Sequence, residues 1–96
     1  MGLSLNGMKN KVIGNFKKHQ VAFSEAVSIW LDSRSIELFD SEHSYKEERW
    51  IRLGLSYRSK ILTVVYCVKV SDHQIRLISA RMATLHETKQ YFRGCL

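Results

Sequence analysis

The run from Ile61 to Val68 constrains the fold more than any other part of the chain, because it is apolar and rich in β-branched residues on both parities, interrupted only by Thr63. A β-branched run of this length, apolar on both faces, is what a central strand should show. It is also less than half of the ~20 apolar residues that a membrane-spanning helix needs, so no membrane-embedded chain is expected. The flanking sequence supplies the neighbours. Lys46 to Ser56 alternates, with Ile51, Leu53 and Leu55 on one face, Trp50, Arg52 and Gly54 on the other, and Arg49 sharing the apolar parity. Ser35 to Asp40 alternates Ile36, Leu38 and Asp40 against Glu37 and Phe39, as suits a strand near a sheet edge. Gln74 to Arg81 forms the last strand, with Arg76 and Arg81 on opposite parities.

The chain has no proline, so its turns fall to Ser, Asp and Asn clusters at Asp32–Ser35, Asp40–Ser44, Ser56–Lys60 and Lys69–Gln74. Such short connections join successive strands into an antiparallel meander. Helical periodicity appears before and after it. Val12, Ile13 and Phe16 lie at helical spacing within Lys9–Gln20, among Lys9, Lys11, Lys17 and Lys18. Ser24 can cap a second helix whose buried face is Phe23, Ala26, Val27, Trp30 and Leu31. Thr84-Leu85-His86-Glu87 is a capping box that opens a terminal helix, which Gly94 can close. The expected fold class is therefore α+β: a small antiparallel β-sheet of about four strands with two N-terminal helices and one C-terminal helix, the helices packed on one face. There is room for a short additional strand near Leu3 to Leu5.

Ninety-six residues suffice for one domain, expected to span residues 1–96, and no linker or repeat divides them. The formal charge of +6 is unevenly placed. Residues 1–20 carry four lysines and no acid, residues 32–48 sum to −4, and residues 49–81 to +6. Two basic blocks around an acidic strip suggest a cationic face and make a phosphate-rich partner plausible. Cys67 and Cys95 form no CxxC and no framework of bridges, which fits a reduced cytoplasm, with Cys67 a small buried apolar residue. No signal peptide or lipid anchor is expected: Asn6 stands where a myristoylation signal wants Ser or Thr.

Metal ligation is disfavoured by spacing, since His19, His43, His73 and His86 make no HExxH, HxxxH or Cys/His pairing. The five glycines approach neither GxxxxGK nor GxGxxG, so no nucleotide cofactor is expected, and there is no Gly-x-Ser-x-Gly elbow. What remains is a set of cations and acid/base groups: Lys18, His19, His43, Glu48, Arg49, Arg76 and Arg81. Such a set suits metal-free RNA cleavage, in which the 2′-hydroxyl attacks the adjacent phosphate. That reaction needs a proton acceptor, cations for the phosphorane and a proton donor for the 5′-oxygen. Histidine serves as either acid or base near neutrality, and arginine offers two donors to non-bridging oxygens.

Several of these residues also have a purely structural explanation. Lys18 and His19 can be the solvated end of a helix, Arg49 a rim residue with its stem on apolar surface, and Arg81 half of an ion pair before the helix cap. Glu48 and Arg49 point to opposite faces and cannot pair side by side on a regular strand. Trp30 and Trp50 read as core. The residues alone reach a basic α+β domain with a surface suited to nucleic acid, and go no further.

In combination the motifs resemble the BrnT-type toxins of bacterial type II toxin-antitoxin systems. Lys18-His19 followed by Val21, Phe23 and Glu25-Ala26 is similar to that family's KHGVSFEEA segment, and Asp40 to Ser44 to its D-x-x-H turn. Glu47-Glu48-Arg49 with Gly54-Leu55-Ser56 resembles EER…IG-x-S, and Ile75 to Thr84 resembles IRIISARKAT, with Glu87 and Tyr91 following. The resemblance covers roughly residues 9 to 92. It implies a RelE/ParE-like fold, RNA cleavage that halts growth, and a BrnA-like ribbon-helix-helix antitoxin whose complex with the toxin binds operator DNA through the antitoxin. Carried over by motif, the implied site is His19 with Lys18, His43, Glu48, Arg49, Arg76 and Arg81. The chain departs from the pattern at Gly7-Met8 in place of Trp-Asp, Gln20 in place of Gly, Cys67-Val68-Lys69 in place of T-E-R, and Met82 in place of Lys. Two alternatives stay open beside the ribonuclease: a weakened or silent module that binds antitoxin, and a ParE-like inhibitor of gyrase.

Overall fold

The computed structural model describes residues 21–42, 44, 47–69 and 74–94. The expected helix over Lys9–Gln20 and the strand near Leu3–Leu5 lie outside them. The described chain runs α1 (Phe23–Ser28), a 3-10 turn (Ile29–Leu31), β1 (Ile36–Phe39), β2 (Glu48–Leu55), β3 (Ile61–Lys69), β4 (Gln74–Met82) and α2 (Leu85–Gly94). The four strands form one antiparallel sheet in the order β1-β2-β3-β4, the meander expected from the short connections.

Because partners across an antiparallel pair share a face, the register sorts every side chain. Leu62, Val64 and Tyr66 of β3, with Ile75, Leu77 and Ala80 of β4, pack against Val21, Phe23, Ala26 and Ile29 to form the main core. Gly54 lies on this face, and a Cβ there would come within 2.8 Å of the Ile29 Cβ. Only glycine lets the first helical segment approach β2 so closely.

The segment from Phe23 to Leu31 departs from the amphipathic helix expected of it. The cap residue is Ala22, with no side-chain bond, rather than Ser24. After Ser28 the helix tightens to 3-10 geometry. The tighter turn advances each residue further around the axis, which rotates Leu31 off the buried face. Ile29 is fully buried and Leu31 is 88% exposed.

The helices do not share one face of the sheet, contrary to expectation. Ile36, Leu53, Thr63 and Arg81 form one row across all four strands on the face opposite α1, and α2 crosses that row. Thr63 donates to Glu87 at 3.0 Å, near the start of α2. At its end, a Cβ on Gly94 would lie 2.7 Å from the Ile36 Cγ2. The reason lies in the burial demand: Leu53 is fully buried although it points away from the main core, and something apolar must cover it. The end of α2 is tied down by the buried Tyr91, whose hydroxyl donates to Asp32 Oδ2 at 2.6 Å. Burial pushes the Asp32 carboxyl up, but bonds from Tyr91, the Leu55 amide and the Arg34 amide outweigh it and hold the group below the usual carboxylate range.

Candidate functional site

A register shift in the β3–β4 pair decides where the cations go. Val65 faces Ser79 while Tyr66 faces Leu77, so Ile78 is the extra residue of a bulge. One extra residue inverts the alternation beyond it. Arg76 opposes Cys67 and Arg81 opposes Thr63, and both partners lie on the face opposite α1. The opposite parities read from sequence are thereby corrected: Arg76 and Arg81 share a face.

Arg49 joins them. It opposes Cys67 from the β2 side, giving a row Arg49, Cys67, Arg76 across three strands. At the usual strand spacing the two arginine Cα atoms lie about 10 Å apart. The row of Ile36, Leu53, Thr63 and Arg81 lies four residues along β2 and β3, or roughly 13 Å away. The Arg49–Arg76 row is the end of this face away from the helix start that Glu87 marks.

The three arginines are held differently. The Arg49 amide donates to Ser44 Oγ at 3.0 Å, and that hydroxyl donates to the Asp40 carbonyl at 2.6 Å. Its Nε lies 3.7 Å from Asp40 Oδ2, beyond hydrogen-bond reach, and is buried without a hydrogen-bond partner among the described residues. Arg76 is exposed and donates from Nη2 to Glu47 Oε1 at 2.9 Å. Arg81 is engaged in both directions, with Nη1 on Glu87 Oε1 at 2.7 Å and Nη2 on Glu87 Oε2 at 2.9 Å. Glu87 also accepts from Thr63 Oγ1 and the Thr84 amide, and its own amide returns a bond to Thr84 Oγ1, completing the expected capping box. The Arg81 bonds hold the Glu87 carboxyl down at about 2, against the opposing effect of burial.

Glu48 is on the other side of the sheet. It opposes Val68, accepts from the Trp50 indole at 3.4 Å, and lines a cavity between Trp30, Trp50 and Tyr66. Lys18, His19 and His43 fall outside the described residues, although Ser44, the neighbour of His43 in sequence, is bonded to the Arg49 amide. Of the seven residues singled out from sequence, the structure brings Arg49 and Arg76 into one row, ties Arg81 to a helix cap on the same face, and separates Glu48 from all three. The carboxylate partners Asp40, Glu47 and Glu87 were not singled out as site residues. Arg49 and Glu47 share a parity two residues apart, which was the available signal for a charged end to this face. Among the described residues, no group of three His, Cys, Asp or Glu is placed to hold a metal ion.

The class defined by fold and site is a small basic α+β domain whose four-stranded sheet carries arginines on a face only partly covered by a helix. More specifically, residues 8–87 match the family described as "Ribonuclease toxin, BrnT, of type II toxin-antitoxin system". The match covers most of the chain, which belongs to that family. It is thus a toxin-family protein, and a type II system implies an antitoxin partner. No curated protein matches it. No helix among the described residues is long and apolar enough to cross a membrane.

Proposed function

We propose that the chain cleaves RNA without a metal ion to arrest growth, and that Arg49 and Arg76 bind the scissile phosphate. The observation that carries this reading is the β4 bulge, which sets Arg76 on the same row as Arg49. Two arginines on the same face, from the strands on either side of Cys67, can each offer paired donors to non-bridging phosphate oxygens. In the reaction the 2′-oxygen bonds to phosphorus and the P–O5′ bond breaks, leaving a 2′,3′-cyclic phosphate and a 5′-hydroxyl. His19 and His43 are the groups suited to take the 2′ proton and supply the 5′ proton, with Lys18 adding positive charge.

Arg81 is assigned a positioning role. Both ends of its fork are occupied by Glu87, and a guanidinium so engaged would have to give up a bidentate pair to meet phosphate. Glu48 is assigned no proton-transfer role, since its strand position faces away from the arginine row.

The partner proposed is a BrnA-like ribbon-helix-helix antitoxin, through which alone the complex would meet operator DNA, and the compartment proposed is the cytoplasm. A second reading has one observation in its favour: Arg49, Arg76 and Arg81 each have a carboxylate within 4 Å. A charge-balanced face of this kind would suit a silent module that holds antitoxin. Induction of the chain alone separates the readings. Growth arrest with shortened total RNA, relieved by the antitoxin, is the expected result. Normal growth at high soluble expression refutes the ribonuclease, and intact RNA with DNA damage points to gyrase.

A further inference from the structure

Between the arginine row and the row that α2 crosses, the face opposite α1 carries a third row. Leu38 pairs with Ile51, Ile51 with Val65 and Val65 with Ser79, which sets these four side chains across all four strands. On β2 and β3 the row lies two residues, or about 7 Å, from Arg49 and Cys67 on one side and from Leu53 and Thr63 on the other. Leu38 is exposed and Ile51, Val65 and Ser79 are half-buried, whereas Cys67, Leu53 and Thr63 on the flanking rows are buried. Val65 is the most informative member. It stands in the middle of the central strand between the buried Val64 and Tyr66, where position alone would bury it, yet its own face is left partly open.

The width of this opening limits what can fill it. α2 runs along the Leu53 row, from Thr63 and Glu87 to Ile36 and Gly94. A helix is about 10–12 Å across, so α2 takes roughly 5 Å of the roughly 13 Å between its row and the arginines. The strip that remains is about 8 Å wide, too narrow for a second helix and wide enough for a flat ring lying on aliphatic side chains. Its floor carries no charge, one long edge is cationic through Arg49 and Arg76, and Ser79 is the one side chain of the row with hydrogen-bonding atoms. Anionic at one end, flat and apolar-faced at the other, a nucleotide matches this pattern. Single-stranded RNA is recognised in such a way, with unstacked bases laid on a protein surface and hydrogen-bonded at their edges.

We propose that this row is the floor on which one base beside the bound phosphate lies, with its face on Ile51 and Val65 and its edge bonded by Ser79, which sets a base preference. The proposal rests on the assignment of Arg49 and Arg76 to phosphate. It adds the substrate class, single-stranded RNA, since a base stacked and paired within a duplex cannot lie flat on the sheet. The β4 bulge serves both parts of the site. Arg76 and Ser79 are three residues apart, and the extra residue Ile78 brings them onto one face.

The test is a nuclear magnetic resonance titration of the methyl-labelled full chain with three probes: a 2′-O-methyl tetranucleotide, which cannot be cleaved, the same backbone without bases, and inorganic phosphate. The Ile51 and Val65 methyl signals should shift with the tetranucleotide alone, while those of the fully buried Leu62 stay in place. Ile51→Ala combined with Val65→Ala should weaken tetranucleotide binding by roughly tenfold and leave phosphate binding unchanged. Ser79→Ala should change the ratio of affinities among tetranucleotides of the four bases by about threefold or more. The wild-type titration decides the matter whether or not the variants fold. Equal affinity for the tetranucleotide and its base-free backbone, or shifts confined to the arginine row, overturns the base floor even in a protein that cleaves RNA. Ile51 and Val65 shifts in a protein that leaves RNA intact uphold the floor and remove the ribonuclease. Failure of all three probes to bind removes the floor together with the phosphate site. Methyl shifts that only antitoxin produces assign the row to that partner and overturn the proposal.

Discussion

Replacing Glu87 by Gln tests whether the Arg81–Glu87 pair is a structural clamp. Gln keeps the shape and one acceptor, and it is itself an accepted capping-box residue, so the substitution isolates the charge. The Glu87 carboxyl is held at about 2, chiefly by Arg81 and further by the Thr84 amide and the Thr63 hydroxyl. Its ordinary value is 4.5. A lowered native value means that the unfolded chain takes up the proton first as pH falls. The stabilisation is therefore complete above the unfolded value, declines below it, and is gone once pH has fallen through the native value. Taken at face value the shift corresponds to roughly 3 kcal/mol. The Arg81 side chain is 38% exposed, and solvent screening reduces this to about 1–2 kcal/mol. In a domain of this size that amounts to a loss of roughly 5–10 °C in melting temperature. Urea unfolding of wild type and Glu87→Gln at pH 7 should show the 1–2 kcal/mol gap, and the gap should close as pH approaches about 2. A double-mutant cycle with Arg81→Ala should return a coupling of about 1 kcal/mol or more. A gap that persists unchanged at low pH, or a coupling below about 0.3 kcal/mol, refutes the clamp.

Gly54→Ala should destabilise the fold by about 1–3 kcal/mol, read from urea unfolding, because its Cβ would overlap that of Ile29 at 2.8 Å. Tyr91→Phe removes the 2.6 Å bond to Asp32 and should cost roughly 1–2 kcal/mol in the same assay. The antitoxin segment that covers the arginine face should be acidic with apolar anchors, and stopped-flow association should slow as ionic strength rises from about 0.05 to 0.5 M. Rates indifferent to salt would remove electrostatic steering from the account.

The meander was legible because β1 and β2 carry their own alternation, β3 is apolar on both parities, and short polar turns separate the four segments. β2 shows its two faces in sequence, and the capping box at Thr84–Glu87 announces α2. Three things were not legible, each for a physical reason. The bulge at Ile78 leaves no mark in a run where Leu77, Ile78, Ser79 and Ala80 are all compatible with either face, so Arg76 and Arg81 were placed on opposite sides. The buried Glu25 was not anticipated, because its partner Ser56, at 2.7 Å, is thirty-one residues away. The placement of α2 opposite α1 was missed because the helices were expected away from Arg52, on the face of Ile51, Leu53 and Leu55, whereas α1 packs on the face of Trp50, Arg52 and Gly54 and the burial of Leu53 requires a second layer. For the site, sequence supplied the residue types, and the register decided that Arg49 and Arg76 share a row while Glu48 does not.

Cleavage of RNA in EDTA by four purified proteins tests the central claim most directly: wild type, Arg49→Ala, Arg76→Ala and Arg81→Ala. Each rate is normalised to the folded fraction. Wild type should be as active with the chelator as without it. Loss of either arginine of the Cys67 row should slow cleavage by roughly a hundredfold or more, as loss of an oxyanion donor does. Arg81→Ala should lose stability yet remain within about threefold of wild type per folded molecule, a difference too small for a group that stabilises the phosphorane. A hundredfold loss at Arg81 with little change at Arg49 and Arg76 would contradict the assignment, and abolition by EDTA with rescue by Mg²⁺ would contradict the chemistry.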